Sequence, residues 1–186
     1  MKDGILKVSS FLNHKVDAKL MDICGEELAY RLRDTQANKV LTVEATGLIP
    51  ALTVARVLRI PLVFARKSRP ISISDSYQTS YRSRTKGVTS DLIISEEYLG
   101  PTDRVLIIDD FLAGGSTVEA LFRISKMAGA RVVGVGVLIE KSKEGGRAFL
   151  AGYDVPVESL AKITKVENGH IEIAHEEPFI AKVREE

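Results

Sequence analysis

Residues 105–120 read VLIIDDFLAGGSTVEA, and no other stretch of the chain restricts its fold as much. Four consecutive apolar residues run straight into two carboxylates, Asp109 and Asp110. A loop of small residues follows (Ala113, Gly114, Gly115, Ser116 and Thr117), and it opens into an amphipathic pattern over 117–127. A strand that is apolar on both sides has to be covered on both sides. That is the situation of a parallel strand with helices above and below it. In open sheets of this kind, ligands sit at the carboxyl ends of the strands, where both acids and the loop fall.

The rest of the chain repeats the alternation. A helix is expected over 17–34, with Asp17 as its N-cap and Leu20, Met21, Cys24, Leu28 and Leu32 on one apolar face. KVLTVE (39–44) reads as a short buried strand, broken by Gly47, and Pro50 suits the first turn of a helix over 50–59. PLVFA (61–65) is a second strand, leading into Arg66, Lys67 and Arg69. RVLIID (104–109) and RVVGVGVLI (131–139) are two more. KITKVENGHIEIA alternates around Asn168 and Gly169, which is a hairpin signal. Between 68 and 90 the composition turns to Ser, Thr, Tyr and Arg, and a long loop or hairpin there is expected to be functional or mobile.

Composition sets the outer limits. The chain has 186 residues, 45% of them hydrophobic, which suits one domain with a sizeable core. It carries 26 basic and 25 acidic side chains, a net charge of +1. That excludes the broad basic field of a protein that coats nucleic acid, so cations for an anionic ligand must be placed locally. Cys24, the single cysteine, excludes an intrachain disulfide and reads as a small buried hydrophobe. No apolar run is long enough for a signal peptide or a membrane span, so a soluble cytoplasmic protein with no membrane partner is expected. His14, His170 and His175 lack metal-ligand spacing.

The chemistry of 105–120 follows from its residue types. Backbone N–H groups of a glycine-rich loop at a helix N-terminus make a phosphate cradle, and Ser116 and Thr117 add hydroxyls. Asp109 and Asp110 suit the vicinal hydroxyls of a phosphorylated sugar. A Walker loop needs a lysine that AGGST lacks. Gly134 and Gly136 imitate the start of a dinucleotide fingerprint, but they fall inside a strand with no third glycine and read as close packing. A purely structural turn with a helix cap is the remaining alternative for the two acids.

At these residues the chain resembles the type I phosphoribosyltransferases, and within them the bacterial xanthine branch. The likeness is carried by VLIIDDFLAGG, ILKVSSFLNHKVD, PLVFARK, VLIEKS and VESLAKI, and it spans nearly the whole chain. It implies an α/β fold: a five-stranded parallel sheet flanked by helices, with a small hood from both chain ends. In one domain over 1–186, the core would cover about 17–140 and the hood about 1–16 and 141–186. The implied reaction joins a purine base to 5-phosphoribosyl-1-pyrophosphate and releases pyrophosphate, with Mg2+ as cofactor. Xanthine would give xanthosine monophosphate in purine salvage. A homodimer is implied as well.

The resemblance also implies roles. Ala113, Gly114, Gly115, Ser116 and Thr117 would hold the 5′-phosphate. Asp109 and Asp110 would serve the ribose hydroxyls and touch the metal indirectly, through its shell. Ala45, Thr46 and Gly47 take the pyrophosphate-loop position, with Arg66 and Lys67 as the cationic pair. Tyr81 and Arg82 fall in the loop that closes over the site, and Leu6, Asn13 and Lys141 would contact the base. Lys141 offers only donors, which suits a 6-oxopurine and opposes the amino group of adenine. One departure concerns Gly114, Gly115, Ser116 and Thr117, which stand where the xanthine enzymes usually carry Asn-Gly-Gln-Ala. Preference for hypoxanthine/guanine or adenine is therefore the alternative within the family. A regulator sensing phosphoribosyl pyrophosphate is the alternative outside catalysis. Against it, the hood sequence begins by about residue 5, which leaves no room for a preceding DNA-binding domain, and the net charge is near zero.

Overall fold

Strand β5 (Arg104–Leu112) lies in the middle of the molecule and is buried from Val105 to Asp109. The computed structural model describes residues 12–69, 75–82, 87–167 and 170–174. Its elements in chain order are α1 (Ala18–Leu32), β1 (Lys39–Val43), α2 (Leu48–Leu58), β2 (Leu62–Ala65), β3 (Ser76–Arg82) and β4 (Thr89–Ser95). After β5 come α3 (Ser116–Met127), β6 (Arg131–Lys141), α4 (Gly146–Leu150), β7 (Val157–Glu167) and β8 (His170–Ile173). One sheet has the order β2-β1-β5-β6-β7-β8, and β3 and β4 form a separate pair. The first five strands of that order are mutually parallel, and β8 adds antiparallel to β7.

The period-2 geometry of the strands sorts the core into two clusters. Leu41, Val105, Ile107, Val135 and Val137 face α3 residues Val118, Leu121 and Ile124. Val40, Leu106, Ile108 and Leu138 belong with Met21 and Leu28 of α1 and Ala51 and Val54 of α2. Asp17 caps α1 through its Oδ1, which accepts from the Leu20 N–H at 3.0 Å. The buried stripe of α1 runs through Met21, Gly25, Leu28, Ala29 and Leu32, while Leu20 is 39% exposed and Cys24 half-buried. The stripe turns away from Leu20 because α2 crosses at Gly25, where an added Cβ would lie 2.1 Å from Thr53 Oγ1. Gly134 and Gly136 are packing glycines, and a Cβ on Gly136 would meet Leu32 and Ile108 at 2.8 Å.

The fifth parallel strand, β7, comes from beyond residue 140, in the stretch expected to be hood. Its sequence hides this because it is not uniformly apolar. Only Ser159 and Ile163 of β7 are fully buried. Within the 68–90 stretch, residues 76–82 and 89–90 are strand: β3 pairs with β4 from Ser76↔Ser95 to Arg82↔Thr89. This pair is tied to the end of β2, where the Arg66 and Ile93 backbones exchange two hydrogen bonds of 2.9 Å. Asn168 and Gly169 lie outside the described residues, between β7 and β8, which pair antiparallel. Among the described residues, no helix is long and apolar enough to cross a membrane.

Gly25→Ala is expected to destabilise the protein. Overpacking against Thr53 costs about 1–3 kcal/mol, whereas the gain in helix propensity is only about 1 kcal/mol. A lowered urea midpoint with an unchanged slope is the expected reading. An unchanged or raised midpoint would mean that the helices separate at no cost.

Candidate active site

Four parallel strands deliver functional side chains to one sheet edge. The segment after β1 brings Glu44, Ala45, Thr46 and Gly47, and the end of β2 brings Arg66 and Lys67. The end of β5 brings Asp109 and Asp110 and leads into the loop before α3, while β6 ends on Lys141.

Asp109 is the centre of this edge. It is 4% exposed, and its Oδ1 accepts from the Asp110 N–H at 2.9 Å. Asp110, less buried, accepts from the Phe111 N–H with its own Oδ1 at 2.9 Å. Burial pushes the Asp109 carboxyl well above the usual range, and the neighbouring Asp110 carboxylate raises it further, while Lys67 pulls it partly back. Gly47 lies directly against this group. A Cβ there would sit 2.7 Å from Asp109 Oδ1 and 2.6 Å from Thr42 Oγ1, so only glycine lets the loop approach. The Thr42 hydroxyl is buried with no hydrogen-bond partner among the described residues.

Glu44 was not legible as a site residue, yet it organises the cations. Its Oε1 accepts from the Lys67 N–H at 2.6 Å, and its Oε2 lies 3.6 Å from Arg66 Nε. Its place as the last residue of an apolar strand run was the available signal.

The loop before α3 is shaped by glycine at both of its contacts. Gly115 has φ 81°, in the left-handed region, and precedes the first residue of α3. Gly146 of α4 donates its N–H to the Ala113 carbonyl at 2.9 Å, and a Cβ on Gly146 would clash with that same oxygen. The loop therefore rests on the start of α4. Tyr81 of β3 reaches the other side. Its hydroxyl hydrogen-bonds with the Thr117 and Ser90 side chains, and burial followed by the Asp109 charge raises its pKa above the ordinary tyrosine value. Arg82, one residue on, is exposed.

Lys141 stands further from this group, half-buried, with its ammonium 3.2 Å from Glu144 Oε1. The residue before it, Glu140, is 2% exposed and held by the Arg147 guanidinium: Nε to Oε1 at 2.8 Å and Nη2 to Oε2 at 2.5 Å. Ser159 Oγ donates to Glu140 Oε2 at 2.8 Å. Burial alone would raise the Glu140 carboxyl, but the Arg147 and Ser159 hydrogen bonds outweigh it and hold it below the usual range. Asn13 is exposed and follows the fully buried Leu12. Leu6 lies outside the described residues, so its expected contact with a base has no structural counterpart to report.

The site is an open shelf of hard oxygen donors flanked by cations. Among the described residues, no three His, Cys, Asp or Glu side chains gather into a metal cage. One or two carboxylates at such a shelf suit Mg2+, which keeps waters and takes its remaining ligands from substrate phosphates. A separate cavity of about 680 Å³ opens beside the starts of β5 and β6, lined by Arg104, Lys126, Arg131 and Tyr153. It lies away from the carboxylates and the glycine loop.

Residues 16–168 match the family model of the phosphoribosyl transferase domain. The chain belongs to this phosphoribosyltransferase family. It is 42% identical over 183 residues to the xanthine phosphoribosyltransferase of Shouchella clausii, covering 97% of this chain and 91% of that one. With the xanthine phosphoribosyltransferase of Limosilactobacillus fermentum it shares 44% over 169 residues, 90% of this chain and 87% of the relative. Among solved structures, the adenine phosphoribosyltransferase of Thermoanaerobacter pseudethanolicus superposes with a TM-score of 0.71 at 25% identity, covering 80% of this chain and 86% of that one. The enzyme of the same name from Rhodothermus marinus gives a TM-score of 0.69 at 30% identity, over 78% of this chain and 80% of the other. The α/β architecture with its mostly parallel sheet is shared with these solved structures.

Asp109→Asn is expected to raise the melting temperature, by about 2–4 °C per kcal/mol gained. The amide keeps the bond to the Asp110 N–H and removes a buried charge set beside a like one. A lowered melting temperature in thermal unfolding at neutral pH would show that the carboxylate stabilises the fold.

Proposed function

We propose that the protein transfers the phosphoribosyl group of 5-phosphoribosyl-1-pyrophosphate to xanthine, releasing pyrophosphate and xanthosine monophosphate. The observation that carries this reading is the contact of Gly47 with Asp109. It joins the loop after β1 to the end of β5, which carries both acids and runs on into the glycine loop before α3, with Arg66 and Lys67 on the neighbouring strand end. The relatives named above supply the choice of base.

In this reading, the N–H groups and hydroxyls of Ala113, Gly114, Gly115, Ser116 and Thr117 bind the 5′-phosphate. Asp109 and Asp110 orient the ribose hydroxyls. Ala45, Thr46 and Gly47, with Arg66 and Lys67, hold the pyrophosphate. The bond from the anomeric carbon to pyrophosphate breaks as the bond to the base nitrogen forms, and positive charge develops on the sugar in between. Arg66 and Lys67 answer the negative charge that leaves with pyrophosphate. Mg2+ would be held by Asp109 and Asp110 through its water shell and by substrate oxygens, adding charge stabilisation at the leaving group. Tyr81 and Arg82, carried on β3, would exclude water from a cation that water would otherwise capture.

To the base this reading assigns Lys141, Asn13 and Leu6, the last on the resemblance alone. A lysine donates and never accepts, so it favours an oxygen at the purine 6-position. Xanthine is acidic enough to be partly anionic near neutral pH, which a nearby ammonium also favours. A homodimer belongs to the same proposal and rests on the resemblance, and a cytoplasmic location is part of it.

Pyrophosphate release, followed with xanthine, hypoxanthine, guanine and adenine in turn, tests the reading. Xanthine is expected to turn over fastest; no turnover with any base would overturn the assignment. Asp110→Asn is expected to slow turnover at least 10-fold with little change in melting temperature. Unfolding in its place would make Asp110 a structural cap. Lys141→Ala should reorder the bases while leaving the KM for phosphoribosyl pyrophosphate within about threefold. An unchanged order would remove the lysine from base recognition.

A further inference from the structure

Glu140 is a carboxylate buried to 2% exposure near the end of a core strand. Such a group is a weak device for stability, because an apolar pair of the same volume usually does as well. What a paired carboxylate and guanidinium do supply is direction, since the planar fork fixes both partners in distance and orientation. The fork here joins three elements. Arg147 of α4 holds both Glu140 oxygens, donates Nη1 to the Val157 carbonyl at 2.9 Å, and reaches Ser159 Oγ at 3.1 Å. Ser159 closes the ring by donating to Glu140.

Each partner has a neighbour that matters. The residue after Glu140 is Lys141, the proposed base contact. The residue before Arg147 is Gly146, whose N–H holds the Ala113 carbonyl and whose Cα leaves no room between α4 and the loop. Gly115 closes the same contact, since a Cβ there would meet Gly146 Cα at 3.3 Å. The fork is thus a side-chain link between the two ends of the proposed ligand, added to the backbone pairing of Leu112 with Glu140 in the adjacent strands. One end is the loop for its phosphate, and the other is the lysine for its base.

We infer that Glu140, Arg147 and Ser159 are positioning residues that, on top of the β5–β6 pairing, brace Lys141 against the phosphate loop, and so set the base against the anomeric carbon. This rests on the functional reading above, in which those two features hold the two ends of one nucleotide. Reacting atoms misplaced by roughly 1 Å lose about 100-fold in rate. A network that spans the ligand without touching it therefore acts on alignment more than on either end alone.

Calorimetry on the full chain separates the possibilities, using two ligands. Ribose 5-phosphate engages the loop end only, and xanthosine monophosphate spans both ends. Arg147→Lys keeps the charge and loses the fork. It is expected to weaken the nucleotide at least 10-fold while ribose 5-phosphate stays within twofold, and to lower kcat more than it raises the KM for phosphoribosyl pyrophosphate. In a Lys141→Ala background, the same substitution should cost the nucleotide less than threefold, because its effect runs through the lysine. Glu140→Gln, which retains one acceptor for Arg147, should fall between wild type and Arg147→Lys. Equal weakening of both ligands would assign the network to loop support alone and overturn the inference. Additive effects of Arg147→Lys and Lys141→Ala would do the same, as would a folded Arg147→Lys protein with unchanged nucleotide affinity. Wild-type protein that binds the nucleotide no tighter than ribose 5-phosphate would instead remove the base-end reading, and the inference with it.

Discussion

A carboxylate buried at the end of the central strand is the costly feature around which this protein is built. Asp109 sits at 4% exposure beside a second acid, with Lys67 as the cation that partly relieves it. The fold accepts this cost by holding the group rigidly. The β5 backbone supplies one N–H, Gly47 seals one side, and the apolar clusters on both faces of the sheet leave the strand no freedom to move. A positive or hydroxyl-bearing ligand on the shelf would offset that cost.

Much of this was legible in the amino-acid sequence, for identifiable physical reasons. The run before Asp109 is apolar at consecutive positions because β5 is covered on both faces, and that pattern cannot be written for a strand with one wet side. Asp17 announced the start of α1 because an N-cap needs a short acceptor at one position. The Asn168 and Gly169 signal announced β7 and β8 because a two-residue turn admits few residue types.

What stayed hidden depends on partners distant in the chain. The direction in which α1 presents its buried face is set by Thr53 crossing Gly25, and Gly25 alone does not reveal which helix will cross it. β7 looked peripheral because only one of its apolar residues, Ile163, is fully buried. Glu44, Arg147 and Gly146 act through groups that become neighbours only after folding. Their residue types, two charges and a glycine, are what any exposed turn could carry. The acids and the small-residue loop were found because they are contiguous, and the braces were missed because they are not.

The attachment of the β3–β4 pair to the main sheet has a consequence for how such a site can diversify. Arg66 holds Ile93 with its own N–H and carbonyl, while its side chain extends independently toward Glu44. The joint is therefore written in backbone atoms, which every residue except proline possesses. Position 66 can exchange its side chain, and with it the charge offered to a ligand, without undoing the joint that seats the hairpin. Architecture and recognition meet at one residue yet draw on different atoms, so the second is free to change while the first is inherited.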